Sequence, residues 1–227
     1  MTAPGRQPGC IVGLRREAGL LARLSGDLPV ACAGADAGRA AILARGLVER
    51  GVGGLVSFGL AGGLDPALPP GTLLLPERVL LPDGGALAVD PGWRRRAAAL
   101  LPEALAAALA GSDRVLVDVA GKAALRRSGG AAAVDMESHA VAAVARAAGL
   151  PFLVIRAIAD PAGRALPPAA LAGLSPDGGT RPWAVLLALL RSPGQLPALV
   201  RLAGDSAAGF AALGRVGRLL GPRLAFA

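Results

Sequence analysis

Short, continuously apolar runs alternate with longer stretches of helical spacing along this chain, and that alternation constrains the fold more than any other feature. Cys10 to Leu14, Val30 to Ala33, Leu55 to Leu60, Thr72 to Leu81, Val115 to Val119, Ala131 to Val134 and Phe152 to Ala159 read as strands. Their lack of polar alternation means that both faces of the sheet are covered. Between them, Asp36 is placed to cap a helix running toward Arg50, with Gly51 as its stop. Residues 94–110 read as a helix that Pro102 can split, and Glu137 to Ala148 as a helix closed by Gly149 and Pro151. Strands interleaved with helices predict an α/β domain.

The 227 residues suit one domain with a substantial core. Aromatic residues are only 3% of the chain and Tyr is absent, so Ala, Leu, Val and Gly must do most of the packing. The formal charge of +8 comes almost wholly from arginine, since Lys122 is the single lysine. It reflects either a compositional bias toward Ala, Gly, Arg and Pro or a surface for an anionic partner. No nucleic-acid partner is expected. Cys10 and Cys32 lie in strand-like runs and are expected as buried thiols. With no CxxC and no Cys/His cluster, no metal site is expected. Arg6, Arg15, Arg16 and Glu17 interrupt the N-terminus before a secretory apolar stretch can form. No uninterrupted apolar run approaches the ~20 residues of a membrane span. The expectation is a cytoplasmic protein, with peripheral attachment to the inner membrane face left open.

The segment 181–227 reads as a basic helical extension. It holds six arginines and one acid, Asp205, a net +5 of the total +8. Trp183, Leu186, Leu187 and Leu190 recur at helical spacing, as do Leu196, Leu199, Val200 and Ala203. Such stripes fit helices packed on the sheet, or a basic, apolar surface for lipid contact.

Acids and glycines gather where strands end, the place where open α/β sheets bind ligands. In Val134-Asp135-Met136-Glu137-Ser138, Glu137 falls beside that crevice and can accept two hydroxyl hydrogen bonds, as a ribose diol would offer. An acid at a helix start is equally what the helix dipole favours. Asp160 ends the run Arg156-Ala157-Ile158-Ala159-Asp160-Pro161, as a site acid or a turn former. After Ser57-Phe58, the residues Gly59, Leu60, Ala61, Gly62 and Gly63 form an expected glycine turn that lets a ligand approach the backbone. Gly13, Arg15, Arg16 and Glu17 follow the first strand, where Glu17 can activate water and the arginines can hold an anion.

Four segments in this order, Ile11 to Glu17, Val56 to Leu64, Val134 to Ser138 and Pro151 to Asp160, resemble the nucleoside phosphorylase and nucleosidase superfamily that includes methylthioadenosine/S-adenosylhomocysteine nucleosidases. The resemblance spans most of the first 160 residues. It implies a single nucleoside-phosphorylase-like domain over residues 1–227, a three-layer fold with a central mixed twisted sheet flanked by helices. Within it, Ser57 to Pro66, Val134 to Val141, Ala165 to Pro168 and Pro193 to Pro197 are similar to the hopanoid-associated phosphorylases. That branch implies adenosylhopane, a purine nucleoside bearing a polycyclic lipid, as substrate, with adenine released. The alternatives are a soluble methylthioadenosine/S-adenosylhomocysteine nucleosidase and a non-catalytic nucleoside- or lipid-surface-binding protein.

By resemblance, Asp160 protonates the departing base, Glu137 and Met136 hold the ribose, and Gly59, Leu60, Ala61 and Gly62 border the sugar. No cofactor is implied beyond inorganic phosphate as a co-substrate, and homo-oligomers are the family habit. The attacking group stays divided. Glu17 stands where nucleosidases carry a water-activating Glu, and Gly13, Arg15 and Arg16 are candidates for phosphate. Ser57 and Leu60 stand where related phosphorylases have Arg and Ser. The nucleosidases' base-stacking aromatic has no counterpart in Asp118 to Lys122, so either aliphatic contact replaces the stacking or Phe152 helps. His139 is read as structural or as lining a lipid channel.

Overall fold

The computed structural model describes residues 7–23, 27–173, 175 and 177–226. In chain order the elements are β1 (Pro8–Val12), α1 (Arg15–Ala22), β2 (Val30–Cys32), α2 (Ala37–Glu49), β3 (Gly54–Gly63), β4 (Leu73–Leu74), β5 (Arg78–Leu80) and β6 (Ala86–Ala88). They continue with α3 (Pro91–Leu100), β7 (Leu109–Gly111), α4 (Val119–Gly129), β8 (Ala133–Asp135), α5 (Ser138–Ala147), β9 (Phe152–Asp160), α6 (Pro168–Ala172), α7 (Pro182–Arg191) and α8 (Leu196–Leu220). A 3₁₀ turn at Pro193–Gln195 links the last two.

The sheet is mixed and branches at β3. Parallel β1 and β9 flank β3, and β4 adds to β9 antiparallel. At its far end β3 also pairs antiparallel with β8, Gly62 opposite Val134 and Gly63 opposite Ala133. The register with β9 shifts between Ala61 and Gly62, where β3 turns toward its second partner.

Both faces are covered, as continuous apolar strands require. Along β9, Phe152, Val154 and Ile158 pack on one side under α2 and α5, against Ala44, Leu47 and Val141. Leu153, Ile155 and Ala157 pack on the other with Leu21 of α1, Trp93 of α3 and Leu213 and Val216 of α8. The expected α/β fold of a mixed sheet flanked by helices is the observed one.

Several local expectations differ. The helix predicted over 94–110 is α3, which Asp90 starts by accepting from the Trp93 N–H at 2.6 Å and which ends before Pro102. The strand predicted at Val115 to Val119 is irregular chain up to Asp118, with Val119 opening α4, and the strand of that region is β7, which starts within the expected helix. Thr72 to Leu81 forms two short strands with different partners, because β4 pairs with β9 and β5 with β6 and β7. Ala61-Gly62-Gly63 is not a turn but the end of β3. Pro193–Leu220 is long and apolar enough to cross a membrane by length and composition. Its second half is core, however: Phe210, Ala212, Leu213, Val216 and Leu220 are buried.

Candidate active site

Four strands deliver residues to one cavity of about 300 Å³. Gly13 and Leu14 follow β1, Leu60, Ala61 and Gly62 end β3, Met136 and Glu137 follow β8, and Asp160 ends β9. Glu17 reaches the same space from the first turn of α1. Residues far apart in sequence thus meet because three parallel strands end side by side. Gly59 lies behind the wall. A Cβ there would come within 2.6 Å of Glu17 Oε1 and 2.5 Å of Arg156 Nη1, so the close approach itself requires glycine. Gly13 is similarly confined by Glu137 Oε1.

The floor is a buried charge cluster. Glu17 Oε2 accepts from the Gly13 and Leu14 N–H groups at 2.9 and 2.8 Å, and its Oε1 from the Leu60 N–H at 2.8 Å. Arg156 Nη2 donates to Ser57 Oγ at 2.6 Å, Ser138 Oγ at 3.2 Å and Glu137 Oε2 at 3.3 Å, and forms an ion pair with Asp135. Three carboxylates thus surround one guanidinium. Burial raises Glu17 above the ordinary carboxylate value, against the Arg156 charge and the backbone N–H donors. Burial pushes Glu137 up to about 8, Arg156 opposing and Asp135 and Glu17 adding to the rise.

At the other end of the cavity, burial raises Asp160 as well, against the hydrogen bond and charge of Lys122. Lys122 Nζ lies 2.6 Å from Asp160 Oδ2. Arg114, Val115 and Leu116 reach the cavity from the irregular chain after β7, and Leu166, Ala170, Leu171 and Leu202 add an apolar wall. Among the described residues, no group of three His, Cys, Asp or Glu side chains is placed to hold a metal ion.

Besides Gly59, three of the sequence-derived candidates fall outside. Arg15 pairs with Asp177 at 2.5 Å on the exposed surface, and Arg16 lies over the Phe210 ring at 4.0 Å. With ~100° per helical residue, a chain that turns Glu17 inward turns its two predecessors away. Phe152 starts β9 and packs in the core near α2 and α5, about 26 Å along the strand from Asp160 at ~3.3 Å per residue. It is on the wrong end of the sheet to touch a base. His139 does not line the cavity either. Its Nε2 lies 3.0 Å from Asp113 Oδ1 and its ring packs against Gly111.

Arg156, Ser57, Ser138, Asp135 and Lys122 were not among the candidates. Arg156 had a legible signal, as the one charge in an otherwise apolar strand. The two serines had none, because their value lies in what they face.

The sequence profile described as the phosphorylase superfamily matches residues 25–178. The chain belongs to the phosphorylase superfamily. Among solved structures, this superfamily member is similar to the Campylobacter jejuni 5'-methylthioadenosine/S-adenosyl homocysteine nucleosidase, with 22% identity and a TM-score of 0.66 over 70% of this chain and 88% of that one. It is also similar to the Streptococcus pyogenes S-adenosylhomocysteine nucleosidase (21%, TM-score 0.67, 71% and 87%) and to the futalosine hydrolase of Helicobacter pylori (20%, 0.65, 70% and 86%). Likeness at this identity shows a shared fold. No curated protein matches the chain. The family match ends where the basic tail begins, so α7 and α8 lie outside it.

Proposed function

We propose that this chain hydrolyses the N-glycosidic bond of a purine nucleoside. The observation that carries the reading is the meeting, at one cavity, of a buried Glu17–Arg156–Glu137 cluster with a separate raised acid, Asp160. Cleavage builds positive charge on the ribose, which the carboxyl oxygens of Glu137 and Glu17 stabilise. Glu137 accepts the ribose hydroxyls and Met136 packs on the sugar. Asp160, its pKa raised by burial, gives a proton to the base as the bond breaks.

Water suits this site better than phosphate as the attacking group. Arg156 is already engaged by Asp135, Glu137, Ser57 and Ser138, and Arg15 and Arg16 are engaged elsewhere. Glu17 is then the residue that takes the proton from water.

The substrate is a nucleoside with a large apolar substituent, adenosylhopane on the residues quoted above. Cavities of ~300–1,000 Å³ hold drug-sized ligands, and this one is at the lower limit, room for a nucleoside with its substituent leaving past Leu166, Ala170, Leu171 and Leu202. The tail from Arg181 onward presents an apolar ridge outward. Trp183, Leu187, Leu190 and Val200 are 75, 53, 72 and 64% exposed, flanked by exposed Arg181, Arg191 and Arg201. Apolar side chains ringed by cations fit an anionic bilayer, so the protein docks from the cytoplasm on the inner membrane face.

One assay tests the reading. Purified protein is incubated with adenosylhopane or methylthioadenosine, with and without phosphate, and adenine is quantified. Release from adenosylhopane independent of phosphate is expected, and Asp160→Asn should lower it about 10²–10⁴-fold with the fold retained. Release that requires phosphate overturns hydrolysis, a preference for methylthioadenosine overturns the lipid substituent, and no adenine from either overturns the enzyme reading.

A further inference from the structure

Lys122 is the only lysine in the chain, and its side chain is 1% exposed. It stands in the first turn of α4, a helix that starts where Asp118 accepts from the Gly121 N–H at 2.7 Å. A helix N-terminus is an unfavourable place for a cation, and burial adds a desolvation cost. The position is therefore held by specific partners. Nζ donates to Asp160 Oδ2 at 2.6 Å, to the Pro161 carbonyl at 3.1 Å and to the Arg164 carbonyl at 2.9 Å. All three ammonium protons are accounted for. Two hold the chain just after β9, and the third is on the one carboxyl that the proposed chemistry needs as an acid. The other charges near Asp160 are Arg164 and Asp205, which pair with each other.

We propose that Lys122 is a positioning residue for departure of the base, orienting the Asp160 carboxyl and stabilising the carboxylate that remains once its proton has moved to the purine. The inference rests on the nucleosidase reading above. In the step, the Asp160 O–H bond breaks and the N7–H bond forms. The C1'–N9 pair goes to the base, water adds at C1' and gives its proton to Glu17, and Asp160 is left ionised against the ammonium. An ammonium already in place needs no reorganisation as that charge appears. Lys122 thus acts on the leaving half of the reaction and not on the attacking half.

The distinction can be measured with two leaving groups. Adenine from methylthioadenosine or adenosylhopane needs protonation, whereas 4-nitrophenolate from 4-nitrophenyl β-D-ribofuranoside leaves without it. Lys122→Met is expected to lower kcat/KM for the purine nucleoside relative to the nitrophenyl riboside by about tenfold or more. The alkaline limb of the purine pH profile should also move up, because Asp160 no longer has a cation favouring its ionised form. Lys122→Gln, which keeps donors without the charge, makes the same comparison if the Met variant does not fold. Equal losses on both substrates mean that Lys122 only holds the chain after β9 and overturn the proposal, as does an unchanged ratio. A wild-type protein that cleaves neither purine nucleoside overturns the hydrolase reading, and this inference with it.

Discussion

Glu17, Glu137, Asp135 and Arg156 show how a site can be built from groups that the core would normally exclude. Each carboxylate is tied to backbone N–H groups, to a serine or to the guanidinium, so none is buried unpaired. The fit leaves no room at Gly59. Gly59→Ala should cost about 1–3 kcal/mol in a denaturant titration and lower activity, since its Cβ displaces Glu17 or Arg156. An unchanged midpoint with full activity would contradict this packing. The raised carboxyls have a second consequence. Glu137 goes from an ordinary value of 4.5 to about 8 in the fold, so the folded state binds its proton more tightly than the unfolded chain. Its contribution is fully present below about pH 4.5 and is lost as pH rises through about 8. Melting temperature should fall across that window, less steeply in Glu137→Gln than in the wild type. A wild-type slope no steeper than the variant's would count against it.

At the scale of elements, boundaries follow local chemistry where caps and breakers are strong and fail where neighbours decide. Asp36 caps α2 by accepting from the Arg39 N–H at 2.7 Å, as its position before an apolar-periodic run implies. Val115 to Val119 has the apolar character of a strand, yet β7 is already the partner of β5 and β8, so this stretch passes over the cavity instead. The tail divides within α8. Its second half is core, while α7 and the start of α8 carry the exposed ridge. Substituting Trp183, Leu187 and Leu190 together by Ser should reduce co-sedimentation with anionic liposomes about tenfold or more, since each large apolar side chain contributes about 1.5–3 kcal/mol on leaving water. Equal partition of variant and wild type would remove the membrane role, and a change of oligomeric state in the variant would assign the ridge to a second copy.

For the whole molecule, the C-terminal segment completes the fold. Trp93 of α3 donates its Nε1–H to the Leu224 carbonyl at 2.7 Å and meets Phe226 edge-on, ring centroids 4.6 Å apart. Those rings cover Gly54 at the start of β3, where a Cβ would come within 3.0 Å of them. Trp93→Ala should therefore cost about 3–5 kcal/mol and lower the melting temperature of the whole chain in one transition. An early, separate melting step would mean that the tail is independent of the sheet. A homo-oligomer remains our proposal, to be read from light scattering of the purified protein.

The α/β alternation, the capped helix α2 and the acids at strand ends were legible in the sequence, because short-range periodicity and turn chemistry dictate them. The strand expected at Val115 to Val119, the unbroken strand expected at Thr72 to Leu81 and the turn expected at Ala61 to Gly63 do not form, because sheet partners decide them. The candidates Gly13, Glu17, Leu60, Ala61, Gly62, Met136, Glu137 and Asp160 surround one cavity. Only the tertiary structure decided which charges share that space. It took Arg15, Arg16 and Phe152 out and brought Arg156 and Lys122 in, since pairing of groups 19 or 38 residues apart depends on how the sheet and its helices are arranged. The physical reason is burial: a guanidinium or an ammonium out of water is placed by the carboxylates that compensate it, and those partners are neighbours in space rather than in sequence.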